Sequence, residues 1–183
     1  SDRKAVRPVM KVDNDVVRLH EAIKLYVTKV SRAPLDENDS RRVTNILTFT
    51  TDLEHIGDIT ENLMELHGKK ISAKLEFSSE GFAEIKAMHE RVVNGLTMAI
   101  GVFISDDVKL ANQLLAEKRV VRRMEQAGAK SHMERLRQQR PESISTSSLH
   151  MDILRDLKRI HSHIVAIAYP ILEYSGGKVL RSK

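Results

Sequence analysis

Apolar and small residues in this chain recur at steps of three and four, and that spacing dictates helices that pack along seams. From Ile46 through Thr50, Leu53, Gly57 and Thr60 to Met64 the steps run 4, 3, 4, 3, 4. Ile153, Leu157, Ile160, Ile164, Ile167 and Ile171 repeat the same series, and Phe82, Ile85, His89, Val92, Leu96, Ala99 and Phe103 continue it with a leading step of three. An α-helix brings residues three and four apart onto one face, whereas a half-buried strand needs alternation. With 8 glycines and 4 prolines in 183 residues, little material exists for the tight turns of an all-β fold. The sequence therefore predicts an all-α fold.

Breaks in the pattern divide the chain into five helical segments. The first spans about Val12 to Val30 and stops before Ala33-Pro34. The second opens at Asp36, an N-cap residue, with Asp39 in its first turn, and is expected to end at Gly68 before Lys69-Lys70. The third follows the capping pattern Ser78-Ser79-Glu80. Ser105-Asp106-Asp107 begins the fourth, which runs to about Gln139. Pro141 and a linker rich in Ser and Thr lead into the fifth, which spans about 145–174, with Pro170 loosening its final turn. The longest apolar stretch, Val92 to Ile104, is interrupted by Asn94 and Thr97; it is too short to span a bilayer and reads as a core helix. The polar opening Ser-Asp-Arg-Lys is not that of a secretory signal.

An internal repeat relates two halves. Val16-Val17-Arg18 recurs as Val120-Val121-Arg122, Glu21 as Glu125, Asp52-Leu53 as Asp156-Leu157 and Ile56 as Ile160, all at an offset of 104. The second half holds three helices and the first only two. The expected architecture is two tandem antiparallel three-helix bundles, residues 1–75 and 76–183, with the first bundle lacking its first helix. That helix is expected upstream of residue 1.

Charge is concentrated. Of 30 Lys and Arg and 25 Asp and Glu, the segment Glu117–Arg140 holds eight basic residues against three Glu, which leaves 22 of each sign elsewhere. A solvated helix face is the plain reading. The sharper one makes Arg119, Arg122 and Arg123 a patch facing an acidic partner or anionic lipid. Nucleic acid is not expected, since aromatics are 4% and lie at core-type positions rather than forming a stacking platform.

No cysteine is present, which removes disulfides, thiolate zinc sites and cysteine nucleophiles. No Gly-rich phosphate loop, Gly-x-Ser-x-Gly elbow or His-Glu-x-x-His motif is found, and no enzyme activity is expected. A paired-carboxylate di-iron centre would need two Glu-x-x-His motifs. The one acid three residues before a histidine is Asp52, before His55. His89 is expected in the core, His132 and His150 at the surface, and His161 and His163 on opposite sides of their helix. The strongest candidate constellation is Glu54-His55-Ile56-Gly57-Asp58. There Glu54, Asp58, Glu61 and Glu65 form an acidic stripe, to which Asp13 and Glu117 could lend oxygens.

Asp52-Leu-Glu-His-Ile-Gly-Asp58, followed by Ile-Thr-Glu-Asn62, resembles the signature of the PhoU family of phosphate-regulatory proteins. The segments Val17–Tyr26, Ser147–His163 and Ala168–Glu173 resemble one branch of it, the PhoU-like domain at the C-terminus of bacterial sodium-dependent phosphate cotransporters. The resemblance implies two three-helix bundles bearing Glu/Asp-x-x-x-Asp motifs that can hold metal ions. It also implies an upstream helix and a regulatory role in phosphate uptake at the cytoplasmic face of the inner membrane. The implied partner is the transmembrane part of a sodium/phosphate transporter. Only Glu54 and Asp58 keep the full motif; Lys158 and Ser162 stand at the matching positions of the second half. The expectation is therefore no required cofactor and at most one divalent or ferric ion, at Glu54 and Asp58 with Asp13 and Glu61 in reach. The alternatives are a free-standing PhoU-like adaptor and, from another class, a metal-dependent helical-bundle enzyme.

Overall fold

A computed structural model describes the backbone of residues 3–174 and the side chains of residue 12 and residues 14–174. Seven helices and no strand are present among the described residues: α1 Arg3–Val30, α2 Glu37–Ser72, α3 Ser79–Ser105, α4 Val108–Arg137, α5 Pro141–Ser145, α6 Ser147–Ala166 and α7 Ala168–Tyr174. α1 and α2 form an antiparallel hairpin, α3, α4 and α6 pack pairwise on one another, and α2 lies against α6 to join the two groups. The helix α1 begins at Arg3, earlier than the apolar pattern indicates.

The starts of α2, α3 and α4 follow the sequence closely. Asp36 caps α2 by accepting a hydrogen bond from the Asp39 amide at 2.8 Å, Ser78 caps α3 by accepting from Gly81, and Asp107 caps α4 by accepting from Lys109 and Leu110. Helix ends do not. α2 runs past Gly68 to Ser72, because no backbone turn requires glycine there. It ends instead at Lys74, with φ 53°; the Lys74 amide donates to Ile71 O and the Leu75 amide to Lys70 O. The same Schellman geometry closes α4 at Gln139 (φ 54°), whose amide donates to Leu136 O while Arg140 donates to Arg135 O. Both termini use a residue other than glycine; the α4 end is still marked by Pro141 just beyond it, whereas nothing marks the α2 end.

The expected fifth helix is divided. The Ser/Thr-rich segment is not a solvated linker: it folds as α5, with Pro141 at its first position and Ser143 and Thr146 buried. The final helix breaks at Ile167 into α6 and α7. Pro170 has no N–H to offer the Ala166 carbonyl and its ring crowds that oxygen, so the helix yields three residues ahead of the proline.

One apolar cluster runs through Phe49 and Ile59 of α2, Met88, Val92, Ala99 and Val102 of α3, Leu114 and Val121 of α4, and Leu157, Ile160 and Ile164 of α6. The two groups of helices therefore share a core across the residue 75/76 boundary. The α6 seam is buried as read, apart from half-buried Ile153. The α3 seam is rotated: Met88, Val92, Gly95, Ala99 and Val102 face inward, while Phe82 and His89 are exposed. Gly95 and Ala99 leave room for α6 to approach, and a Cβ on Gly95 would meet the His161 ring at 3.2 Å. Close approach, rather than side-chain size, selects the buried face.

Candidate functional site

At about 100° per residue, the middle of α2 presents three distinct faces. Leu53, Gly57 and Thr60 turn toward α1 and, with Val16, Leu19 and Ile23, line an apolar trough of about 350 Å³. Phe49, Ile56, Ile59 and Leu63 turn toward the core. The third face carries the acidic stripe. Asp58, Glu61 and Glu65 are exposed and Glu54 is half-buried. Glu54, Asp58 and Glu61 make no ion pair with any described residue. Asp13, the expected contributor from α1, has its side chain outside the described residues. Glu117 is engaged elsewhere, 3.3 Å from Arg91. In the second half Lys158 pairs with Glu125 at 3.0 Å and the Ser162 hydroxyl donates to the Lys158 carbonyl.

Where α2 meets α6 a second group forms. Asp52 and His55, one turn apart on α2, meet His163 of α6, and one ligand atom from each lies within 4.8 Å of the others. His163 Nδ1 is 2.8 Å from Asp52 Oδ1, and the His55 and His163 rings stand 5.0 Å apart. Sequence spacing alone could not bring His163 to this place, because 111 residues separate it from Asp52. The one legible trace was Asp52-x-x-His55, which presents two donors on one face of α2.

The basic helix α4 is heterogeneous. Arg119, Arg122 and Arg123 are exposed, as expected of a free patch. Lys118 donates to the Tyr169 hydroxyl at 2.8 Å, and Arg140 reaches Glu80. Arg135 is not on the solvated face at all: it is 5% exposed and makes two 2.9 Å hydrogen bonds to Glu84 of α3 and a third to Ser131. His132 and His150, expected at the surface, are buried beside this pair, their rings stacked 4.9 Å apart. The reason is packing between helices: α5 and the start of α6 fold over that end of α3 and α4 and close it off. His132 bonds the Ser147 hydroxyl at 2.8 Å, and His150 Nε2 lies 2.9 Å from Glu84 Oε2, out of line for a hydrogen bond.

Burial holds both histidines below their usual pKa, with the Arg135 charge reinforcing it and the Glu84 charge opposing it. For Glu84, burial pushes upward, but hydrogen bonds from Arg135 and Ser131 and the Arg135 charge win, and its pKa falls. The result is a buried structural ion pair with neutral imidazoles beside it, not a poised acid and base. His89, expected in the core, instead edges an open groove of about 760 Å³ between α2, α3 and α6, with Phe77, Phe82, Ile85 and Ile153 among its walls.

The PhoU domain family matches residues 1–66 and 85–171. The chain belongs to the PhoU domain family. Among its relatives is the Escherichia coli K12 protein YjbB, named for a proposed role in inorganic phosphate export, at 35% identity over 91% of the chain. The Salmonella typhimurium protein of the same name is 36% identical over 94% of the chain. The chain spans about 31% of the length of these relatives. The Thermotoga maritima phosphate-specific transport system accessory protein PhoU homolog 1 is 28% identical over 96% of the chain and 75% of its own length. PhoU from Pseudomonas aeruginosa has the same fold, with a TM-score of 0.86 at 20% identity over 96% of this chain and 83% of that one. PhoU from Streptococcus pneumoniae gives a TM-score of 0.81 at 17% identity, covering 99% and 84% of the two chains. Both solved structures share the all-helical fold of this chain.

Proposed function

We propose that this chain is the regulatory domain of a sodium-coupled phosphate transporter, held at the cytoplasmic face of the inner membrane and modulating phosphate movement without catalysing a reaction. The observation that carries this reading is the alignment with YjbB: 91% of the chain matches, yet only 31% of the relative is accounted for. The rest of such a relative has room for a transport unit on which a PhoU domain could act. No helix of the described residues is long and apolar enough to cross a membrane, so a transport unit would have to be another part of the protein. The Thermotoga relative, 75% spanned, favours a second reading, a free-standing adaptor that acts on a separate transporter.

On this reading α4 faces the membrane or the transporter's cytoplasmic loops through Arg119, Arg122 and Arg123. Each Lys or Arg near an anionic leaflet contributes about 1 kcal/mol of attraction. An upstream helix would occupy the apolar trough between α1 and α2 and complete the first bundle. A family-type metal ion fits the acidic stripe only weakly. Hard cations take six or more oxygens, and α2 alone offers Glu54, Asp58 and Glu61, so such an ion would keep most of its water.

The test is phosphate flux, inward and outward, through the full-length protein in sealed vesicles. Deleting the domain should change flux, and reversing all three arginines to Glu should change it in the same sense while leaving helicity intact. Flux indifferent to deletion would sink the regulatory reading, and flux indifferent only to the charge reversal would remove α4 from it. Liposome binding by the isolated domain should fall as salt rises. For the stripe, elemental analysis of protein purified without chelator should show at most one divalent or ferric ion held there, and a Glu54→Ala/Asp58→Ala variant should lose it.

A further inference from the structure

The repeat places Asp52 of α2 and Asp156 of α6 at equivalent positions, and the structure treats their charges differently. Asp156 is fully buried and neutralised. Arg159, three residues on, donates to it at 3.0 Å, Asn62 donates across from α2, and Arg155 lies within 4.0 Å. At the offset of 104, the counterpart of Arg159 is His55. Asp52 thus has an imidazole where its repeat mate has a guanidinium. No Lys or Arg pairs with it among the described residues, and its partner is His163. The side chain is 14% exposed, so the carboxylate is largely withdrawn from water without a fixed cation.

We propose that Asp52, His55 and His163 form a binding site for a transition-metal ion of the zinc class, which ties α2 to α6. The donor set is two imidazole nitrogens and one carboxylate oxygen, drawn from both helices. Imidazole donors suit Zn²⁺, Co²⁺, Ni²⁺ and Cu²⁺, whereas Mg²⁺ and Ca²⁺ take oxygen. The site is therefore chemically distinct from the acidic stripe of Glu54 and Asp58 on the outer face of the same helix. Ligand atoms around a tetrahedral zinc stand roughly 3.4 Å apart, given bonds of about 2.0–2.2 Å. Here they already lie within 4.8 Å of one another. Exposed His55 has open space in which to turn toward the other two, and water takes the fourth position. His163, now hydrogen-bonded to Asp52 through Nδ1, would turn that nitrogen's lone pair to the ion and carry its ring proton on Nε2. The ion would supply the positive charge that Arg159 supplies in the second half. Because α2 and α6 form the main join between the two groups of helices, occupancy would stiffen that join.

The experiment is titration of chelator-treated protein with Zn²⁺ and Mg²⁺, followed by calorimetry and thermal melting, with Co²⁺ absorption as a geometric readout. Zn²⁺ is expected to bind one to a chain and raise Tm; Mg²⁺ at equal concentration is not. His55→Ala and His163→Ala should each weaken Zn²⁺ on the order of tenfold or more, loss of a ligand costing at least as much as loss of an outer-shell partner. His55 is exposed, so its variant keeps the fold, and helicity by circular dichroism verifies this for both. Glu54→Ala/Asp58→Ala should leave Zn²⁺ affinity and the Co²⁺ spectrum unchanged. Zn²⁺ affinity and Tm shift that survive the His55→Ala/His163→Ala double variant would overturn the proposal, as would absence of binding in the unaltered chain. Loss of Zn²⁺ with Glu54→Ala/Asp58→Ala alone would assign the ion to the acidic stripe and overturn it equally.

Discussion

His161 and His163 are two residues apart on α6 yet meet different surroundings. His163 reaches the α2 interface, while His161 is 1% exposed against Gly95 with its Nε2 unpartnered. Burial lowers the His161 pKa to about 4, with the Arg91 and Lys118 charges adding to the effect. A histidine whose folded pKa is depressed contributes its full stability above its unfolded value of 6.5, and that contribution declines as pH falls toward the folded value. Stability should therefore drop between pH 6.5 and 4 by about 3 kcal/mol from this residue, at 1.36 kcal/mol per unit. His132 and His150 shift the same way and steepen the loss. Urea unfolding across this range checks it: His161→Leu should flatten the slope, and an unchanged slope would mean that His161 is not held neutral. The Glu84–Arg135 pair makes a second residue-scale prediction. Glu84→Leu strands a buried guanidinium and should cost about 3–5 kcal/mol, while adding Arg135→Leu should recover much of that loss. If the double variant is the less stable, the pair is a net stabiliser rather than a mutual necessity.

At the scale of elements, the contrast lies between side-chain caps at the starts of α2, α3 and α4 and backbone-set turns at the ends of α2 and α4. Starts are written in side chains that accept hydrogen bonds, so Asp36, Ser78 and Asp107 announce themselves. Ends at Lys74 and Gln139 are set by backbone geometry that these residues adopt at a cost. Lys74→Gly and Gln139→Gly should each stabilise the protein by about 1 kcal/mol. Gly68→Ala should do the same, since its Cβ would enter open space inside α2 and helix propensity would rise by about 1 kcal/mol. Chemical denaturation measures all three; destabilisation by Gly68→Ala would show that the glycine is needed for a turn after all.

For the whole molecule, the question is how evenly stability is shared. α1 packs chiefly on α2, and Val12, Leu19, Leu25 and Tyr26 remain more than half exposed along it. α6 touches α2, α3, α4 and α7 and carries the densest burial. Native-state hydrogen exchange should find α1 opening at a much lower free energy than α6. Equal protection would mean that the hairpin unfolds only with the rest. A longer protein carrying sequence upstream of Ser1 is expected to melt higher, provided that sequence supplies the helix proposed for the α1–α2 trough. An unchanged Tm would leave the trough without that occupant.

Periodicity by itself determined the helical class and the α6 seam, because a 3.6-residue turn turns spacing into a face whatever lies opposite, and local capping side chains determined where α2, α3 and α4 begin. The 104-residue repeat likewise announced that Asp52 and Asp156 are equivalent. Only the tertiary structure decided which face of α3 goes inward, that His132, Arg135 and His150 are buried, and that His163 meets Asp52 and His55. Each of these depends on a neighbour far away in sequence. Helix spacing says which residues share a side, but not which side another helix will cover. That choice is made by how closely helices approach, at Gly95 and Ala99 for α3, and by α5 folding over residues that on an isolated α4 would lie in water.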